Sequence, residues 1–352
     1  MPIRVAIILL NYKDYAARFL SDCIESIRRL EFPSGSFKVY IVDNESTPMT
    51  EAYISRIAPE ADIIINKDNC GFAEGNNTGV EAAMRDGCDF VYFLNMDTVA
   101  DPHCLEKVWQ TYKTDEKNGT VQSRLMLHQE PEKINSLGNL LHFLGFGYCD
   151  HYKERLTGAE IDHEITYSSG AALFMSVDDF MTLGGFNPEF FMYHDDVDLG
   201  LKVRLRGLKN MLSVDSVVYH KYEFSRSISK FYWMERNRLI TWLVTFKIKT
   251  LVLIAPAAVI MELGLMVYAL SGHWMNEKIK AYAWFASISN WKKIMVWRRE
   301  SQQLRRVSDR KLLSGFVGRV MYQEELKQPV AQMIGNLFFS AYWFLARKII
   351  FW

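Results

Sequence analysis

The sequence predicts an α/β fold: a Rossmann-like, mostly parallel sheet in the first part of the chain, followed by a helical C-terminal region. Three observations carry this. Residues 4–10 and 90–94 are continuous apolar runs, as expected of central parallel strands buried on both faces. Strand and helix patterns alternate at βα spacing through the first hundred residues. The charge then reverses: residues 1–220 contain 20 Lys+Arg against 33 Asp+Glu, whereas residues 221–352 contain 21 against 8.

After the first strand, residues 14–30 have helical spacing, with Phe19, Leu20, Cys23, Ile27 and Leu30 on one side. Residues 38–42 form the next strand, ending at Asp43-Asn44. Residues 50–57 read as a helix, 61–65 as a strand, 75–86 as a helix and 90–94 as the fourth strand. Further strands are predicted over 120–127 and 171–176, with a short helix over 178–183 closed by Gly184-Gly185. A helix over 196–206 is stopped by Gly207, and residues 214–220 form a last strand. The turn after the first strand, Asn11-Tyr12-Lys13-Asp14, lacks the glycines that bring pyrophosphate to a helix N-terminus, which argues against NAD or FAD binding.

These patterns suggest two domains, residues 1–240 and 241–352. The second is basic and aromatic-rich. Residues 250–270 hold one charge, Glu262, and are long enough to cross a bilayer, but Pro256, Glu262 and Gly264 interrupt them. A helix lying in the membrane interface and a true span both fit. Residues 330–352 are a second apolar stretch with Arg347 and Lys348. Between the two, Lys292, Lys293, Arg298, Arg299, Arg305, Arg306, Arg310 and Lys311 form a basic segment expected to face anionic lipid headgroups. A helical bundle packing on the first domain, or on a second copy of the chain, is the alternative. Bases interleaved with Trp, Phe and Leu suit a membrane better than nucleic acid. Five cysteines without paired spacing suggest neither disulfides nor a zinc site and fit a reduced, cytoplasmic setting.

The chemistry concentrates in two acidic places. The run over 90–97 delivers Asn95 and Asp97 to the C-terminal edge of a buried strand, where open α/β sheets bind ligands. Residues 193–199 hold Asp195, Asp196 and Asp198 at a helix start, more acid than capping requires. One carboxylate to hold a hard cation and another to accept a proton would suit an enzyme acting on a phosphorylated donor. Such an enzyme needs Asp97 and Asp196 in one cleft.

Asn11-Tyr12, the segment 42–46 (Val-Asp-Asn-Glu-Ser), the Asn- and Gly-rich segment 69–79, Leu94-Asn-x-Asp-Thr98, Gly184-Gly-Phe186 and 193–199 occur in order. As an ordered set they resemble the inverting family 2 glycosyltransferases of the GT-A fold, in the branch similar to bacterial rhamnosyltransferases, over about residues 3–240. The resemblance implies a nucleotide-diphosphate sugar donor (dTDP- or UDP-linked, with dTDP-rhamnose leading) and Mg²⁺ or Mn²⁺. It also implies a lipid-linked saccharide acceptor, in cell-surface polysaccharide synthesis at the cytoplasmic face of the membrane. Asp97 would bind the metal and His220 complete its site. Asn95, where the family has an acid, would bond the ribose or orient Asp97.

The same resemblance implies that Asp43 and Asn44 contact base or ribose, with Tyr12 stacking near the base and Asn11 bonding it. Gly75 and Asn76 would let backbone and a helix N-terminus approach the donor. Asp196 would be the base, and Asp195, where the family usually has Glu, would contact the acceptor or hold the loop. Asp198 is expected to pair with Arg204 or Arg206, and Arg236, beside Asn237, to lie near the diphosphate. A nucleotide-sugar-binding, catalytically idle membrane scaffold is the competing reading.

Overall fold

The computed structural model describes residues 2–221, 230–272, 274–321 and 329–352. By internal contacts the chain forms two compact units. The first comprises Met1–Asn139, Cys149–Val203 and Leu208–Glu223, and the second Leu140–Tyr148, Arg204–Gly207 and Phe224–Trp352.

The first unit opens with β1 (Ile3–Tyr12), α1 (Tyr15–Arg28), β2 (Gly35–Asn44), α2 (Pro48–Ile57), β3 (Asp62–Asn66), α3 (Gly71–Arg85) and β4 (Phe90–Leu94). These are the expected elements, with ends moved by a few residues; α3 begins a full turn earlier than expected. Next come β5 (Thr98–Ala100), α4 (Cys104–Tyr112), β6 (Asn118–Leu127) and β7 (Ile134–Ser136). Then follow β8 (Asn139–Leu141), β9 (Gly147–Cys149), β10 (His163–Ile165), β11 (Ala172–Ser176), α5 (Val177–Thr182), α6 (Asp195–Leu205) and β12 (Lys209–His220).

One large sheet runs β10-β12-β6-β11-β4-β1-β2-β3, with β5 on β12 and β7 on β6. Strands β3, β2, β1 and β4 are mutually parallel, and β12 is parallel to β6. Antiparallel β11 joins the two parallel groups, pairing with both β4 and β6. The core forms because Val5, Ile7 and Leu9 on one face of β1 meet Leu20, Cys23, Ile24 and Ile27 of α1, all at most 1% exposed. The other face meets α3. A Cβ on Gly75 would lie 2.5 Å from Leu10 Cδ1, and one on Gly79 2.7 Å from Ile8 Cγ2, so glycine lets helix and sheet approach closely. All five cysteines are free.

The second unit is mainly helical: α7 (Lys230–Thr245), α8 (Ile248–Ser271), α9 (Met275–Phe285), α10 (Ile288–Leu304), α11 (Asp309–Leu312) and α12 (Pro329–Ile349). The expected domain boundary at residue 240 falls inside α7, which belongs to this unit. On α8, Ile254, Ala257, Met261, Leu265 and Ala269 are buried, while Val252, Val259, Leu263 and Val267 are exposed. Glu262, the charge inside the apolar stretch, is partly buried and fully paired. It meets Arg238, Tyr282 and Lys278 (2.6 Å), and Glu235 meets Arg238 (3.1 Å) and Lys278. Two acids and two bases thus neutralise one another, with the Lys278 side chain fully buried. The basic segment is not uniformly outward-facing as expected. Arg298 donates to the Phe246 carbonyl (2.8 Å) and Arg305 to Asp309 (2.7 Å), so both tie the helical unit together.

Cutting one member from the buried cluster leaves charge unpaired. Lys278→Ala is therefore expected to cost about 3–5 kcal/mol, read as a lower midpoint in denaturant unfolding followed by the tryptophans of this unit.

Candidate functional site

The site forms at the C-terminal ends of the parallel strands. β4 ends at Leu94, and the chain turns through Asn95-Met96-Asp97, closed by Thr98 Oγ1 donating to the Asn95 carbonyl (2.6 Å). Thr98 pairs with His220 at the end of β12. That pairing sets His220 Nε2 3.3 Å from Asp97 Oδ1, both side chains nearly buried. The two expected metal ligands therefore meet. Asp97 Oδ1 is buried without a hydrogen bond. His220 Nδ1 lies 2.9 Å from Asn135 Oδ1. A protonated Nε2 donates to the Asp97 carboxylate, whereas a ring protonated only at Nδ1 leaves Nε2 able to share a cation with it. Burial pushes the Asp97 carboxyl up, but His220, with smaller help from Tyr15, outweighs it and holds the group below the usual range. Among the described residues no three of His, Cys, Asp and Glu converge. A divalent ion here would take its other ligands from phosphate and water, which suits Mg²⁺ or Mn²⁺.

The acidic helix reaches the same place through β11. Asn95 N donates to the Ala171 carbonyl (3.0 Å), and the neighbouring Gly170 N donates to Asp196 Oδ2 (3.3 Å). Asp97 and Asp196 thus stand at one end of β4, linked by two adjacent backbone bonds. Val197 N donates to Asp196 Oδ1 (2.8 Å). Burial pushes the Asp196 carboxyl up to about 6, although part of the residue is open to solvent. Asp195 is 4% exposed and is pushed well above its usual range, by burial first and then by Asp196. The pair titrates jointly, one acid holding its proton while the other ionises. Asp198 pairs with Lys202 (2.8 Å) and not with the arginines expected, because Lys202 stands one turn on along α6.

The loop before α6 is strained. Phe191, Tyr193 and His194 have positive φ, and Met192 N donates to the Phe190 carbonyl across a γ-turn (2.6 Å). The turn aims the Phe191 carbonyl at α3, where it accepts from Phe72 N (2.5 Å) and Ala73 N (3.3 Å). This corrects the premise for Gly75 and Asn76. The first-turn N–H groups belong to residues 71–73 and are already engaged. Gly75 faces the sheet, and Asn76, 2% exposed, donates to the Phe72 carbonyl (2.9 Å). Gly71, at φ +82, is the glycine this junction requires: a Cβ there would sit 2.4 Å from Phe191 O.

The other expected contacts divide. Asp43 is fully buried, accepting from Asn11 Nδ2 (2.5 Å) and Thr50 Oγ1 (3.0 Å), and Asn11 Oδ1 accepts from Ala16 N (2.6 Å). Asn44 donates to the Gly71 carbonyl (2.9 Å) and accepts from Asn66 (2.8 Å). In this structure Asn11, Asp43 and Asn44 brace the strand ends against α1, α2 and α3. Tyr12 is 37% exposed at the same edge, and Asn95 is partly exposed beside Asp97. Arg236 belongs to the second unit. It is 2% exposed, bonded to Asn237 (2.8 Å) and stacked over Trp233 (4.5 Å) and Trp284 (5.3 Å).

An open α/β sheet with paired carboxylates beyond its parallel strands defines the GT-A class of fold. Residues 5–179 match the family described as Glycosyl transferase family 2. Among solved structures the chain is similar to GalNAc-T7, crystallised with UDP, GalNAc and Mn²⁺, at TM-score 0.55 and 12% identity over 69% of this chain and 48% of that one. It therefore spans about half the length of that protein. It is also similar to the mannosyltransferase PcManGT from Pyrobaculum calidifontis, in complex with GDP-Man and Mn²⁺, at TM-score 0.50 and 14% identity over 86% of each chain. No curated protein sequence matches. The family match supports a family 2 glycosyltransferase, and the solved structures support its GT-A fold.

A carboxyl whose pKa is raised by folding stabilises the folded state below its unfolded pKa, and that contribution is lost as pH rises through the folded value. Asp196 should therefore make the protein less stable as pH rises from about 4 through about 6, and Asp195 should continue that loss at higher pH. Asp196→Asn is expected to melt higher than wild type at pH 8, with the difference shrinking towards pH 4.

Proposed function

We propose that the protein is an inverting, metal-dependent glycosyltransferase that moves a sugar from a nucleotide-diphosphate donor to a lipid-linked saccharide at the cytoplasmic face of a membrane. The observation that carries this is the shared end of β4: Asp97 with His220 on one side, Asp196 on the other, joined through Ala171 and Gly170. The family match and the nucleotides in solved structures of the same fold support a nucleotide-sugar donor. Rhamnose from dTDP-rhamnose is the donor we favour, on the motif set alone.

Asp97 and His220 would hold a divalent cation, which when bound would supply positive charge against the departing diphosphate. Asp196, with a pKa near 6, is largely ionised at neutral pH and accepts the proton of the acceptor hydroxyl as it attacks the anomeric carbon. A single displacement inverts that centre. Asp195, its pKa raised well above the usual range, holds its proton while Asp196 ionises and so keeps the pair from carrying two charges. Asn135 orients the His220 ring by taking its Nδ1 proton in a hydrogen bond. Membrane attachment draws support from the exposed apolar face of α8, a helix of 24 residues, and from Lys292, Arg299, Arg310 and Lys311, which remain exposed.

A panel of nucleotide sugars with Mg²⁺ or Mn²⁺, scored for donor turnover and thermal protection, tests the assignment; a donor that neither turns over nor protects is excluded. Asp196→Asn should lower kcat by about 10²–10⁴-fold with little change in donor affinity. The wild-type kcat/KM profile should rise with pH through an apparent pKa near 6. Asn135→Leu should weaken Mn²⁺ binding by about 10–100-fold in calorimetric titrations with UDP present, since outer-shell partners of ligating histidines typically have that effect.

A further inference from the structure

The helical unit contains a cavity of about 470 Å³ between α11 and the end of α12. Its floor is apolar and rigid: Phe316 and Trp343 are nearly buried, and the Trp343 indole donates to the Phe316 carbonyl (3.0 Å). Its rim is cationic: Arg310, Arg347 and Lys348 line it and are exposed. No carboxylate among the described residues pairs with them. Among the described residues from 301 to 352 the only acid is Asp309, fully buried and taken up by Arg305 (2.7 Å), Lys247 N (2.9 Å) and Thr250 (2.5 Å). Arg347 and Lys348 rest against Phe344, at 5.4 and 4.1 Å from its centroid. Gly315, at φ +84, leaves its N–H without a protein acceptor among the described residues. Three cations without a carboxylate partner among the described residues, and an open backbone donor, around one hollow are the chemistry that holds a phosphate. Beside it Leu345, Ile349 and Phe351 are 53–74% exposed, an apolar surface continuous with the rim.

We infer that this pocket binds the phosphate of a membrane lipid, its hydrocarbon lying along the exposed side of α12. The inference rests on the membrane reading above and adds a discrete site to it. A diffuse basic surface would lose affinity equally wherever charges are removed; a pocket would not.

The experiment uses the full chain and sedimentation with vesicles of phosphatidylcholine alone or with one fifth phosphatidic acid. Two triple variants of equal charge are compared: R310Q/R347Q/K348Q at the pocket and K292Q/R299Q/R306Q elsewhere on the basic segment. The pocket triple should lose tenfold or more of its affinity for the acidic vesicles, and the control triple at most about a third of that loss. Equal losses would overturn the pocket while leaving membrane attachment intact. Failure of the wild type to bind either vesicle would instead remove the membrane reading. Release of bound protein by millimolar inorganic phosphate at constant ionic strength would make the site one for free anions and overturn the lipid assignment. If the pocket triple does not fold by circular dichroism, Ser314→Glu, which sets a carboxylate on the exposed rim, is expected to lose the same affinity, and unchanged binding in it would overturn the proposal.

Discussion

The site depends on β11 lying antiparallel beside β4. A purely parallel sheet would carry the next connection away from the end of β4. The reversed strand instead starts there, and its approach, Ser169-Gly170-Ala171, supplies two adjacent backbone groups in opposite service. The Ala171 carbonyl holds Asn95 and so the Asp97 turn, while the Gly170 N–H holds Asp196. Phe72 packs over Gly170, where a Cβ would come within 3.2 Å of its ring. A few residues of irregular chain thus fix where Asp97 and Asp196 stand relative to one another.

That arrangement is held against electrostatic cost. Asp195 and Asp196 are crowded at one helix start with raised pKa values, and Phe191 is kept in a conformation that a non-glycine residue rarely adopts. The opposing terms are the buried pairs around them: Asp43 with Asn11 and Thr50, Asn44 with Asn66 and Gly71, and the Phe191 carbonyl on the first turn of α3. Asn11, Asp43 and Asn44 thus form part of the frame at the strand ends. The polar side chains at the strand ends satisfy one another first, and the cleft is what remains.

The parallel half of the sheet was legible because periodicity reports burial, and β1, β2 and β4 are buried on both faces. The meeting of Asp97 with His220 was legible only through family resemblance, since nothing local to 214–220 shows that β12 carries an irregularity between Ser213 and Val217 before pairing with β5. Asn135 gave no signal: it is a single amide at the centre of the three-residue strand β7, and its part follows from register alone. Gly170 could have been noticed as the glycine opening a small-residue run into a strand. The start of α3 was misplaced because Asn69 and the glycines resemble a loop, whereas Gly71 supplies a turn and the helix runs on through Gly75 and Gly79. The role of Glu262 was hidden because its partners lie on two other helices.

That cluster has a geometric consequence. Glu262 is fastened from α7 by Arg238 and from α9 by Lys278, so α8 cannot roll about its long axis without stranding a charge. Its rotational phase is locked, and with it the direction in which Val252, Val259, Leu263 and Val267 point. An apolar helix that would otherwise bury any side equally well becomes a keyed part with one permanent outward face.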